Sequence, residues 1–194
     1  MTDDKLAAQA DRQDYPEIPA ELEDYAADVR EGVRLGFCDL FSNSSSAHAA
    51  VLMQVFCEEA KRYAYIFCGR LSREVFGRMW PVFRKALERN VDLRVITEHA
   101  DAESCDVAAA LRQRNALRTV EGCGLRLPDR MPHFAVFDGM MSRMETDGER
   151  RTAIVRTSVA PQDRTGQERM ELMRVTFDQI WELATPNGGR RKEA

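Results

Sequence analysis

The stretch Met131-Pro-His-Phe-Ala-Val-Phe-Asp-Gly-Met-Met-Ser-Arg-Met-Glu145 decides how this chain is read. Phe134 to Phe137 is a short unbroken apolar run, the signature of a buried strand. It is entered through Pro132 and His133 and left through Asp138-Gly139. That dipeptide favours the tight turn of a hairpin, so Met140 to Glu145 is predicted to pair back as a second strand. His133 and Asp138 bracket the run, either as half of an active site or as the two corners of a hairpin.

Upstream, helical and apolar patterns alternate. Ala47 to Arg62 carries Leu52, Val55, Phe56 and Ala60 on one helical face, and Tyr63 to Cys68 follows as a strand buried on both sides, ending at Gly69. After the loop Arg70-Leu-Ser72 comes a helical pattern in Met79, Trp80, Phe83, Ala86 and Leu87, with Pro81 imposing a break or new start near Trp80. Asn90 ends it, tolerating the left-handed backbone of a helix terminus. Val91 to Thr97 is a strand, Asp101 to Arg114 a helix with Asp101 as its cap, and Ala116 to Val120 a further strand. Gly122, Gly124 and Pro128 mark the turn region before the opening stretch. Nearer the start, residues 1–17 are polar and acidic and read as a mobile arm. A helix spans Glu21 to Arg30, Gly36 to Phe41 is a short strand or a helical turn, and Asn43 to Ser46 is a loop with Ser46 as the cap of the next helix. Downstream, Asp147-Gly148 signals a turn and Thr152 to Thr157 a strand. Thr165 with Glu168 has capping-box spacing, opening a helix whose stripe is Met170, Met173, Phe177, Ile180, Trp181 and Ala184. Residues 187–194 form a flexible tail with the basic run Arg190-Arg-Lys192.

These elements describe one α/β domain over residues 18–186: a mixed β-sheet covered by helices on both faces, its early strands parallel and its later ones antiparallel. The 194 residues are ample for one packed core. A net charge of −4 gives no overall electrostatic attraction for nucleic acid or an anionic membrane. There is no membrane-spanning apolar run and no signal-peptide pattern at the start, so the expected location is the cytoplasm. Five cysteines in no CxxC arrangement and three scattered histidines (48, 99 and 133) predict reduced thiols, no metal site and no cofactor.

The order of elements, the segment Asn90-Val-Asp-Leu-Arg-Val-Ile96 and the strand leading into Asp138-Gly139 resemble a single half of the phospholipase D-like superfamily, over about Tyr63 to Ala184. The resemblance implies that the hairpin stands where that family carries its HxKxxxxD motif, whose histidine forms a phospho-enzyme and whose lysine neutralises the phosphate. Anchored at Asp138, the lysine position falls on His133 and the histidine position on Met131, giving Met-x-His-x-x-x-x-Asp. A slip of two residues puts Ala135 and Met140 in the lysine and aspartate positions. Neither register keeps the catalytic set, and a thioether is too weak a nucleophile for a phosphodiester. The GSxN-like sequence that often follows is replaced by Ser142-Arg-Met-Glu145 and Arg151-Thr-Ala-Ile154.

By this resemblance the domain is catalytically degenerate and acts in binding, regulation or assembly. A strand-end pocket of Gly69, Arg70, Ser72 and His133, with Glu98 or His99, would take a phosphate-containing ligand. The plainer reading makes Arg70 a solvated charge, Ser72 a helix cap and His133 a hydrogen-bonded strand end. The alternative function is a phosphodiesterase or nuclease with His133 as base or nucleophile and Asp138 or Glu145 orienting it. The family's pairing of two motif-bearing halves implies a homodimer or a protein partner at the motif face, to which Phe137, Met140 and Met141 would contribute. The basic tail is only a slight indication of nucleic acid.

Overall fold

All four side chains of Phe134–Phe137 (β5) are buried, and the strand lies at the centre of a seven-stranded sheet. The computed structural model describes residues 15–36, 40–43, 45–99, 105–125, 127–128, 131–147, 152–157, 159–160 and 162–184. A 3-10 turn, Ala20–Leu22, precedes α1 (Glu23–Leu35), β1 (Leu40–Asn43) and α2 (Ser46–Glu59). Then follow β2 (Tyr63–Cys68), α3 (Arg73–Phe76), α4 (Trp80–Glu88), β3 (Asp92–Thr97), α5 (Cys105–Gln113) and β4 (Leu117–Thr119). After β5 come β6 (Met141–Asp147), β7 (Thr152–Arg156) and α6 (Arg164–Leu183). The strand order is β1-β7-β6-β5-β2-β3-β4. As the alternating pattern predicts, β2, β3 and β4 are parallel, whereas β5, β6, β7 and β1 add on antiparallel.

Alternation along the strands divides the core in two. Ala64, Ile66, Leu93, Val95, Ala135 and Phe137 face α1 to α5. Tyr65, Phe67, Ile96, Phe134 and Val136 face α6, whose stripe of Met170, Phe177, Ile180 and Trp181 is buried as its spacing predicts. Helices therefore cover both faces. The break expected at Pro81 is present: α3 and α4 are separate, with the proline in the first turn of α4, where its missing N–H costs nothing. Asn90 takes the left-handed backbone at φ 63°.

Several boundaries differ from the sequence reading. The first helix runs on to Leu35 and is ended by Gly36 at φ 70°, and the ambiguous middle holds strand β1, which includes Asn43. Ser45, not Ser46, caps α2, accepting from the His48 N–H. Asp163, not Thr165, caps α6: its carboxylate accepts from the Gly166 N–H and pairs with Arg156, which outweighs the box. Residues 15–17 belong with the domain and not with an arm. The Tyr15 hydroxyl accepts from Arg89, and the carbonyls of Pro16 and Glu17 accept from Gln54 and Arg78. Residues 1–14, the cap at Asp101, the turn at Gly148 and the basic tail lie outside the described residues.

Asp138 holds the central hairpin in register. It is buried at φ 56°, and its carboxylate accepts from the backbone N–H groups of Lys61, Arg62 and Tyr63 at 2.8–2.9 Å. The Arg62 guanidinium donates to the Asp138 carbonyl. The turn takes in Met140 as well as Asp138-Gly139, so Phe137 pairs with Met141 rather than with Met140. A hydrogen bond to a charged acceptor contributes about 1.5–3 kcal/mol, and part of each is recovered from solvent when it is lost. Asp138→Ala is therefore expected to destabilise the domain by about 3 kcal/mol, lowering Tm by roughly 6–12 °C. Asp138→Gly, which keeps the positive φ without strain, should lose about 1 kcal/mol less. Thermal unfolding of both variants checks this, and a loss under about 1 kcal/mol for Asp138→Ala would contradict the anchoring role.

Candidate functional site

His133 enters the site from the start of β5, opposite Glu145 on β6, whose backbone N–H donates to the His133 carbonyl at 2.9 Å. This pairing follows from the turn. With Phe137 opposite Met141, counting outward places Glu145, not Met144, across from His133. The imidazole Nδ1 lies 2.9 Å from Glu145 Oε2, and Nε2 lies 3.2 Å from Oε2 of Glu98, the residue after β3. Arg143, two residues before Glu145 on the same face, donates to Glu145 Oε1 at 3.0 Å. Gly69, at the end of β2, makes room for the ring: a Cβ there would stand 2.9 Å from His133 Cε1 and 3.1 Å from Nε2.

This geometry favours one protonation state. A neutral imidazole has one N–H donor and one lone-pair acceptor, whereas ionised carboxylates only accept. Both contacts are satisfied when both ring nitrogens carry protons. The hydrogen bonds to Glu145 and Glu98 accordingly raise the His133 pKa to about 9, against the opposing effect of burial. The hydrogen bond from His133 holds Glu98 below its ordinary range. For Glu145, burial pushes upward, but His133 and Arg143 together outweigh it and lower the pKa. An imidazolium has no lone pair, so in this protonation state both ring nitrogens donate.

Beside His133 opens a cleft of about 400 Å³ between the sheet and the starts of α2 and α3. Ala49, Met53, Ile66, Phe76 and Ala135 give it an apolar floor, and Ser45, Arg70, Ser72, Arg143 and Glu145 give it polar walls. Of the residues chosen from sequence, Gly69, Arg70, Ser72, His133 and Glu145 all line this cleft. Ser72 also caps α3, accepting from the Val75 N–H at 3.4 Å. His99 is exposed, its backbone N–H donating to the Gly69 carbonyl. Burial, reinforced by the Glu145 and Glu98 charges, keeps the Cys68 thiol protonated. Cys57, Cys68 and Cys123 are free. Among the described residues no group of His, Cys, Asp and Glu has the arrangement to hold a metal ion, and no helix is long and apolar enough to cross a membrane.

Two expectations are corrected. Asp138 does not orient His133, because it sits at the far end of β5 and its carboxylate is taken up by three backbone N–H groups. Of the residues proposed for a pairing surface, Phe137 and Met141 are core, and only Met140 is exposed. Met131 is half-buried against the cluster beneath α6. Arg143 and Ser45 were not singled out from sequence. The hairpin register would have placed Arg143 beside Glu145; nothing in the sequence marks Ser45 as facing the same cleft.

The sheet order, the layers and the hairpin carrying the site define a phospholipase D-like fold. Solved structures share it. Nuc, a phospholipase D family member from Salmonella typhimurium, superposes with a TM-score of 0.54 at 11% identity, over 76% of this chain and 95% of that one. TrmBL2, an archaeal chromatin protein with a novel mode of DNA binding, gives a TM-score of 0.55 at 10% identity over 95% of this chain. The chain spans 66% of that protein's length. At such identities the likeness is one of fold. No family model and no curated protein matches the sequence.

Stability should follow the His133 ion pairs with a defined sign. Because the folded pKa of about 9 lies above the ordinary value of 6.5, the contribution is fully present below about pH 6.5 and is lost as pH rises through 9. The side chain is 30% exposed, and solvent screening holds the contribution to on the order of 2 kcal/mol. The stability advantage of wild type over His133→Gln, measured by denaturant unfolding, is expected to be largest near pH 6 and to shrink toward pH 9.5. An advantage that grows over that interval would contradict the assignment.

Proposed function

We propose that this domain is a binding module of phospholipase D-like fold whose strand-end cleft takes a phosphate-bearing ligand without hydrolysing it. The observation that carries the reading is His133 bonded through both ring nitrogens to carboxylates, which leaves no lone pair for attack on phosphorus. The residue in the motif's nucleophile position is Met131, and the lysine position is His133 itself. What remains is suited to holding an anion. Arg70 and Arg143 line the cleft with the imidazolium, and the Ser45-capped start of the fourteen-residue α2 opens onto it. The DNA binding of TrmBL2, on a similar fold, makes a terminal phosphate of a nucleic acid one source of such a phosphate. Pairing at the motif face, with a second copy or another protein, is supported by exposed Met140.

A second reading has one observation in its favour. The 2.9 Å contact between His133 Nδ1 and Glu145 is the geometry by which a carboxylate orients a catalytic histidine, as in a phosphodiesterase or nuclease with a rearranged site.

One set of measurements separates the two. Hydrolysis of bis(p-nitrophenyl) phosphate and of single- and double-stranded DNA is expected at the same background rate for wild type and His133→Ala. In thermal-shift experiments, inorganic phosphate and p-nitrophenyl phosphate should raise the wild-type Tm. Near 100 times Kd the stabilisation is about 2.7 kcal/mol, or roughly 5–10 °C, and Arg70→Ala should reduce it. Hydrolysis lost in His133→Ala would establish the enzyme instead, and the lack of any Tm rise would remove the phosphate ligand.

A further inference from the structure

We infer that the Glu98 carboxylate is a built-in competitor at this site: it occupies the position at His133 Nε2 that an oxygen of a phosphate dianion takes on binding, and it must leave for the ligand to enter. The inference rests on the phosphate-binding reading above and names how that binding is controlled.

The two carboxylates on His133 are not equivalent. Glu145 Oε2 lies 2.9 Å from Nδ1, while its Oε1 accepts from Arg143, whose side chain is only 12% exposed. Glu145 is thus clamped from two sides and fixes the ring. Glu98 makes the longer contact, 3.2 Å, and among the described residues His133 is the one side chain bonded to its carboxylate. Its backbone, by contrast, is held by hydrogen bonds to Cys68 and Glu121, so the side chain can turn away without moving the loop. Glu98 is not part of the cleft lining, whereas His133, Gly69 and Arg70 are.

A carboxylate oxygen accepting from an imidazolium N–H mimics a phosphate oxygen in charge, in acceptor character and in distance. Gly69 keeps the approach to Nε2 open, since a Cβ there would lie 3.1 Å from Nε2 and 3.5 Å from Glu98 Oε2. No bond is made or broken in the exchange: one acceptor replaces another on the same N–H, and the imidazolium keeps both protons. Selectivity follows. A ligand must offer more than a single carboxylate does, which favours a dianionic phosphate able to reach Arg70 as well, over a monoanionic diester.

Isothermal titration of wild type, Glu98→Gln, Glu98→Ala, Glu74→Gln and His133→Ala with inorganic phosphate tests this. Removing one half-exposed ion pair is expected to tighten Kd about tenfold in both Glu98 variants. Glu74 lines the cleft and is bonded to Ser46, so Glu74→Gln makes the same change in charge without freeing Nε2 and should stay within about twofold of wild type. Equal tightening in Glu74→Gln would show a general charge effect and overturn the exchange. So would phosphate binding that His133→Ala abolishes but neither Glu98 variant tightens. Phosphate that binds none of the proteins would overturn the phosphate-binding reading itself, and the exchange with it.

Discussion

Three backbone N–H groups converge on the carboxylate of Asp138, and the rest of the site depends on that contact. They belong to Lys61, Arg62 and Tyr63, the residues that lead into β2, so one side chain ties the central hairpin to the neighbouring strand. The turn so anchored includes Met140, and this sets Phe137 against Met141. A strand slipped by one residue would present Met144 opposite His133, and every side chain of β6 would change face. In the register observed, Glu145 and Arg143 arrive on the face that bears the cleft. Asp138 thus acts on the site at a distance, through register and not through a hydrogen bond to the histidine.

What the register assembles is an ion pair on each side of one ring. The carboxylates stabilise the imidazolium and the imidazolium stabilises the carboxylates, so the three groups hold one another in their charged forms. That mutual support places a proton on each ring nitrogen. Both ring N–H groups are donors in this arrangement, one to Glu145 and one to Glu98. In this chain the neighbouring carboxylates make His133 a donor at both ring nitrogens. Gly69 has a corresponding role, giving close approach to the ring where a side chain would displace it.

Much of the architecture was legible in the sequence because burial left a periodic record. The runs Tyr63–Cys68 and Phe134–Phe137 coincide with strands, and the stripe of α6 coincides with its buried face. Asn90 and the break at Pro81 could be read because backbone geometry restricts those positions directly. The residues chosen for the pocket came together because strand ends and helix caps converge at the edge of a parallel sheet. What escaped depended on contacts far apart in sequence. The role of Asp138 is hidden because its partners lie some 75 residues away, and a turn motif does not reveal what a carboxylate accepts. Phe137 and Met141 admit both a core and a pairing-surface reading from sequence, and burial in the sheet decides for core. Glu98 could be named only alongside His99, since which of two adjacent residues faces inward is set where β3 ends.

The charge on His133 is where the account is most exposed. Nitrogen-15 NMR of the ring at pH 7.5 reads that charge directly, without reference to any ligand. Both ring nitrogens are expected to be protonated, with titration near pH 9 in wild type and a midpoint moved toward 6.5 in Glu145→Gln. A neutral ring at pH 7.5, titrating near 6.5 in wild type, would contradict the paired-carboxylate geometry and restore His133 as a base.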